Sequence, residues 1–289
     1  MIEPIPYFGN IMLKEIKPIM YQKFINSLSI YSRRTVEIIH GTMYSALEKA
    51  VVIGRIEKNP CTGVTIKGKN RTPNEFKFLD SHDVPKLLQA AYEYGYIYWI
   101  FFKVLIETGM RKGEAAALQW TDIDFKNLTI SINKTLDFTA KENESLFGDT
   151  KTFNSIRLIK ISKNLADELE EHAKYQNRNK INMNDQYRHY LNLVLCKENG
   201  EPMPKSSLFN AFSRILKRAE LPTVPIHALR HTHAVIMLES GADMKYIQTR
   251  LGHGSMQITA DVYSHVSKKI ESRNMENYEE KMNALFVQK

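Results

Sequence analysis

Cysteine is almost absent. The 289 residues include two, Cys61 and Cys196, far apart in the chain. Two such thiols make neither a disulfide framework nor a zinc-binding spacing, which points to a reducing compartment. Long apolar runs are missing too. The longest, residues 97–106, is interrupted by Lys103 and is too short to span a bilayer. The N-terminus has no charged-then-apolar leader pattern. A cytoplasmic protein with no membrane partner is therefore expected. Internal repeats and low-complexity tracts are also absent. One stretch, Gly63-Val64-Thr65-Ile66-Lys67-Gly68-Lys69-Asn70, comes close to a P-loop but lacks its essentials. Asn70 stands where a Mg²⁺-binding Ser or Thr belongs, no clear strand precedes it, and Pro73 opposes the following helix. Nucleotide binding is rejected on those grounds.

The rest of the composition is ordinary for a globular chain, with 43% hydrophobic and 25% charged residues. The length allows one large domain or two of usual size. The net charge of +8 is unevenly placed: residues 1–71 hold 11 Lys/Arg against 5 Asp/Glu, and the remainder 29 against 27. A small basic segment beside a nearly neutral body fits a clamp on a polyanion, and equally a solvated basic surface.

Apolar spacing predicts helices over residues 19–28, after Pro18, and over 32–52. Residues 63–73, with glycines, basic residues and a proline, read as a linker. A second domain begins near Phe76, which divides the chain into residues 1–71 and 72–289. In it, Asp80 or Ser81 is expected to cap a helix running to about Tyr94. Further helices are expected over 97–107, 111–118, 165–179, 206–219, 227–239 and 244–251. Residues 128–132 and 156–161 alternate or are β-branched, with a polar stretch between them, and predict a small antiparallel sheet. Residues 267–286 read as a polar helical tail. The fold class is mainly α with a small antiparallel β-sheet.

The chemistry-bearing residues lie mostly in the last quarter. They are His227-Ala228-Leu229-Arg230, Leu251-Gly252-His253 and Tyr263, with Arg111 upstream in Thr108-Gly109-Met110-Arg111-Lys112-Gly113-Glu114. His227 and Arg230 are three apart and share a helix face. Arg111 follows a glycine at a helix start, where backbone N–H groups also favour an anion. Guanidinium groups match two phosphate oxygens and stay charged at working pH. Donors placed there would stabilise the charge that builds on non-bridging oxygens during phosphoryl transfer. The histidines could donate hydrogen bonds or move protons, and Tyr263 could attack phosphorus. Each residue alone has a plainer reading as a surface arginine, a helix-end histidine or a core tyrosine. A metal site built from His227, His231, His233, His253 and His265 is the rival. The adjacent arginines would repel a cation, and no acidic residue lies between His227 and His233.

These motifs, with Ile258-Thr259-Ala260-Asp261-Val262-Tyr263-Ser264-His265, resemble the tyrosine recombinase (phage integrase) family, mobile-element integrase type, over essentially the whole chain. The resemblance implies a site-specific recombinase that cuts and rejoins double-stranded DNA through a 3′-phosphotyrosyl link, with no metal, ATP or other cofactor. Arg111, His227, Arg230 and His253 would surround the scissile phosphate, and Tyr263 would be the nucleophile. Thr150-Lys151-Thr152-Phe153-Asn154-Ser155-Ile156-Arg157 matches the family's hairpin turn, so Lys151 would protonate the leaving 5′-oxygen. Glu114 would brace the first arginine. Residues 1–71 would be a partial helical core-binding domain and linker, residues 72–289 the catalytic domain with its tail. The two would form a C-shaped clamp on DNA.

The resemblance further implies a monomer in solution, a tetramer on DNA, and accessory DNA-bending or directionality proteins. Two departures stand out. Ala228 replaces a common aspartate, which bears on helix capping. Residues 7–16 look like the loop after a first helix that is missing. A DNA-binding fragment impaired in cutting and a type IB topoisomerase are the alternatives.

Overall fold

The computed structural model describes residues 5–69, 78–140, 146–149 and 156–252, and in the tail residues 275, 278–279, 281–283 and 285. The chain divides into two compact units, Met1–Glu75 and Phe76–Lys289.

The first unit is helical. A single turn, α1 (Ile5–Phe8), precedes α2 (Pro18–Ser27) and α3 (Arg33–Val52). Pro18 fits the first turn of α2, where its missing N–H has no intrahelical partner. Ser32 caps α3 by accepting from the Thr35 N–H at 3.2 Å. Phe8, Tyr21, Phe24, Ile25, Val36 and Leu47 form the core. Residues 7–16 are thus more than a loop, because the α1 turn delivers Phe8 against Tyr21 and Phe24. The expected linker is also part of this unit as far as residue 69. Val64 and Ile66 pack on the core. The Gln22 amide bonds both backbone groups of Thr65, at 2.9 and 3.0 Å. Lys69 exchanges backbone bonds with Tyr31 and Arg33. A Cβ on Gly68 would fall 2.6 Å from the Arg33 Cα, so glycine is needed there. An extended segment held by backbone bonds has no apolar period to read. Residues 70–73 lie outside the described residues.

The second unit is built around α5 (Tyr96–Thr108), whose Ile100, Phe101, Phe102, Val104 and Leu105 are all buried. It packs beside α4 (Val84–Tyr94). Neither Asp80 nor Ser81 caps α4. A 3-10 turn over Ser81–Asp83 comes first, and no side chain caps either element. After α6 (Lys112–Ala116) come β1 (Ile123–Asp124) and β2 (Thr129–Ile132). A hairpin of β3 (Lys134–Leu136) and β4 (Phe147–Asp149) follows, then β5 (Arg157–Lys160). Strands β1, β2 and β5 form an antiparallel sheet in that order, with Ile130 opposite Ile159. The β3–β4 pair lies in the polar stretch between the two expected strands, where no strand was expected. Three residues per strand are too few to display alternation.

Helices α7 (Lys163–Met183), α8 (Lys205–Arg218), α9 (Ala228–Glu239) and α10 (Met244–Leu251) complete the unit. Ser162 and Asp243 cap α7 and α10. The start of α9 has no side-chain cap. It closes through backbone bonds from Ala228, Leu229 and Arg230 to Pro225, Ile226 and His227, and Ala228 is fully buried. Most of the expected tail helix lies outside the described residues, and those described are helical. Among the described residues, no helix is long and apolar enough to cross a membrane.

Candidate active site

Two helices end at the same place. Helix α5 terminates at Gly109 and α10 at Gly252, each glycine left-handed at φ +66°. Glycine is the residue that tolerates this turn. At Gly109 there is also no room for a side chain, since a Cβ would lie 2.5 Å from Leu251 Cδ2 and 2.6 Å from His233 Cδ2. The last carbonyls of any helix have no intrahelical partner and carry the negative end of the helix dipole. Here side chains take them.

Arg230, on the first turn of α9, is 1% exposed. Its Nη1 donates to the Gly109 carbonyl at 2.8 Å and its Nη2 to the Leu251 carbonyl. The guanidinium fork thereby spans both helix ends. Arg111 donates from Nη2 to the Gly252 carbonyl at 3.3 Å. Arg157 on β5 donates from Nε to the Arg250 carbonyl at 2.7 Å. Three successive carbonyls of α10's last turn thus each receive an arginine. A single carboxylate, Glu114, completes the group. It accepts from the Arg111 N–H at 2.9 Å, from Arg111 Nη1 at 2.7 Å and from Arg157 Nη2 at 2.8 Å. The Arg111 backbone N–H at the start of α6 is therefore taken by an internal carboxylate. That departs from the expectation that the helix start itself would attract a ligand anion.

Charge counting follows directly. Among the described residues, three guanidinium groups face one carboxylate and a set of neutral carbonyls. Burial alone would raise the Glu114 pKa, but the hydrogen bonds and charge of Arg157, with those of Arg111, hold it below the usual carboxylate range. Burial, with the charges of Arg111 and Arg157, pushes Arg230 down to about 9, still protonated at neutral pH. His227, the residue before α9, is pushed down to about 4 by burial, then by His231, Arg230 and Arg111. It is neutral at pH 7 and can accept a proton or donate one. Arg111, 39% exposed at its side chain, is the accessible member. A buried positive excess with one solvent-reaching guanidinium is matched by an anion with several oxygens.

The structure brings Arg111, His227, Arg230 and Glu114 together. Lys151, His253 and Tyr263 lie outside the described residues. His227 and His231 meet edge to face at 5.0 Å. His233 is turned away from any metal: its Nδ1 donates to the Ile106 carbonyl at 2.7 Å and its Nε2 accepts from Arg250 Nε at 3.0 Å. Among the described residues, the group placed to hold a cation is Asp80, His82 and Asp83, which shares no member with the arginine cluster. Sequence reasoning assigned nothing to Arg157 or Arg250 and weighed His233 only as a ligand. The available signal for Arg157 was the inward register set by Ile159 on β5 and by Ile161 just after it.

The comparisons with known proteins bear on the whole chain. Residues 77–269 match the phage integrase family, and residues 1–29 match the phage integrase N-terminal SAM-like domain. The chain is 30% identical to a tyrosine recombinase XerC-like protein of Caldanaerobacter subterraneus subsp. tengcongensis, covering 94% of this chain and 72% of that one. It is also 30% identical to the integrase of Staphylococcus phage L54a, covering 94% of this chain and 82% of that one. Its fold is similar to that of the Tn1549 transposon integrase, solved in complex with a circular intermediate DNA. The TM-score is 0.68 at 19% identity, over 91% of this chain and 86% of that one.

Proposed function

Because the chain belongs to the phage integrase family, whose members are enzymes that break and rejoin DNA, we propose that it is a site-specific recombinase acting on double-stranded DNA at the arginine cluster. The observation that carries this is that, among the described residues, Arg111, Arg157 and Arg230 gather on the single carboxylate of Glu114 and the helix-end carbonyls, with Arg111 reaching solvent.

The reaction is a displacement at phosphorus. Arg111 and Arg230 neutralise the non-bridging oxygens of the scissile phosphate, with hydrogen bonds from His227 and His253. The Tyr263 hydroxyl gives its proton to a neutral histidine of the site, for which His227 is available, and attacks phosphorus, forming a 3′-phosphotyrosyl bond as the bond to the 5′-oxygen breaks. Lys151 supplies the proton that the leaving oxygen takes. Rejoining is the reverse, with a 5′-hydroxyl attacking the phosphotyrosine. The tyrosyl bond keeps the phosphodiester energy, so no nucleotide is consumed. Glu114 orients the arginines and takes no proton.

The finer reading assigns residues 1–71 to a partial core-DNA-binding domain and linker, and 72–289 to the catalytic domain. The protein is a cytoplasmic monomer that assembles as a tetramer on DNA, with accessory DNA-bending or directionality proteins. The similarity to phage and transposon integrases supports integration or excision of a mobile element.

The test is trapping of a covalent protein–DNA adduct on a nicked duplex. The wild-type protein forms it, and Tyr263→Phe abolishes it while binding the same DNA. An adduct at wild-type level in that variant moves the nucleophile elsewhere, with the exposed Tyr246 of α10 as the first candidate.

A further inference from the structure

Arg250 is buried, and all three of its guanidinium nitrogens are engaged away from the anion site. Nη1 donates to the Lys160 carbonyl of β5 at 2.7 Å. Nη2 donates to the Glu107 carbonyl of α5 at 3.2 Å. Nε donates to His233 Nε2, and His233 in turn donates to the Ile106 carbonyl of α5. The side chain therefore ties the last turn of α10 to the last turn of α5, directly and through His233. Those are the two turns whose carbonyls hold the site arginines. Gly109 on α5 and Leu251 on α10 grip the two ends of the Arg230 fork, and the Arg250, Leu251 and Gly252 carbonyls hold Arg157, Arg230 and Arg111.

We propose that Arg250 and His233 are positioning residues: a clasp that sets the spacing of the two helix ends and so fixes the guanidinium groups of Arg111 and Arg230. The inference rests on the recombinase reading of that site. The chemistry of the pair is directional. His233 must be neutral, with the proton on Nδ1, to donate to Ile106 and accept from Arg250. Burial and the Arg250 charge keep it so, down to about pH 3. A planar fork cannot follow two carbonyls that drift apart, so slackening the clasp misaims Arg230 first. Neither residue touches DNA in this account, and the loss should appear in the chemical step rather than in affinity.

The experiment compares His233→Phe, which keeps the volume and loses both bonds, with His233→Gln, whose amide offers one donor and one acceptor. Single-turnover cleavage at saturating DNA should fall about 10²-fold in His233→Phe, a loss typical of roughly 1 Å misplacement. DNA affinity should hold within about threefold, and His233→Gln should recover most of the rate. Arg250→Lys keeps the charge but loses the fork, and it replaces the phenylalanine variant if that one does not fold. A second readout does not depend on activity. The Arg157 Nε–H, bonded to the Arg250 carbonyl, should exchange slowly with solvent in the wild-type protein and at least about tenfold faster in His233→Phe.

Cleavage within a few-fold of wild type in His233→Phe, or a parallel loss of affinity and rate, overturns the positioning role. Unchanged Arg157 exchange overturns the clasp itself. If the wild-type protein forms no adduct on nicked DNA, the recombinase reading fails, and the exchange result still decides whether the clasp exists.

Discussion

Two of the buried polar clusters described in the second unit each hold a histidine whose pKa is driven to about 4, chiefly by burial. Around His172 on α7 the partners are neutral. Its Nε2 donates to the Val194 carbonyl at 2.8 Å, and its Nδ1 accepts from the Tyr96 hydroxyl at 3.1 Å. Gln176 donates to the same carbonyl and accepts from the Trp120 indole. Tyr175 stacks on the ring. Around His227 the partners are charged, with three guanidinium groups against one carboxylate. Both histidines end near the same value and burial is the largest cause in each, so the size of the shift does not by itself tell the two clusters apart. What separates the clusters is the balance of charge. The first joins neutral donors to neutral acceptors, and the second, among the described residues, sets three guanidinium groups against one carboxylate. A perturbed titration flags a site only when some unmatched charge or missing partner accompanies it.

That contrast can be broken by exchanging the properties of the two clusters. The largest effect is expected from Glu114→Gln, which leaves Arg157 and Arg111 without their carboxylate. Removing one partner of a buried ion pair costs about 3–5 kcal/mol, read as a drop in the denaturant midpoint. Because Glu114 is held ionised, its contribution is fully present at neutral pH and is lost as pH falls below the ordinary carboxylate range. A variant as stable as wild type would show that the arginines do not depend on this carboxylate.

Next in size come Arg111→Lys and Arg230→Lys. Both keep the charge and lose the fork, and cleavage should fall about 10²-fold or more in each. Rates within a few-fold of wild type would remove both from the phosphate. The smallest effect belongs to the neutral cluster. His172→Phe should cost about 1–3 kcal/mol of stability, the usual consequence of stranding buried partners, and leave cleavage unchanged. It should also flatten the acid limb of the stability curve. In the wild type, the unfolded chain takes up the proton near pH 6.5 and the folded chain only near 4, so stability declines across that window. An unchanged slope between those pH values in the variant would mean that His172 is not the group responsible.

Much of this was legible beforehand, and the gaps have a common cause. Helix α3 could be read because its apolar face repeats every turn, and α5 because it is an apolar stretch ended by Gly109. Arg111, His227 and Arg230 could be read because they sit in motifs with fixed neighbours. Arg157, Arg250 and His233 were not legible as a group. Apart from Glu114 for Arg157 and His233 for Arg250, their acceptors are backbone carbonyls, which every residue supplies, so little in the sequence marks the partners. The same holds for residues 63–69, anchored by backbone bonds to Gln22, Tyr31 and Arg33. Helix ends are where side chains meet main chain, and there pattern reading gives the least.

The claim at the centre is that positive charge in this cluster exists to neutralise the scissile phosphate. Cleavage of a substrate whose scissile phosphate is replaced by an uncharged methylphosphonate tests it most directly. Arg111→Ala should slow cleavage of the ordinary phosphodiester about 10²-fold or more, as losing an oxyanion donor does. On the methylphosphonate, which has no non-bridging charge to neutralise, the account predicts that most of this defect disappears. A defect of the same size on both substrates would contradict it.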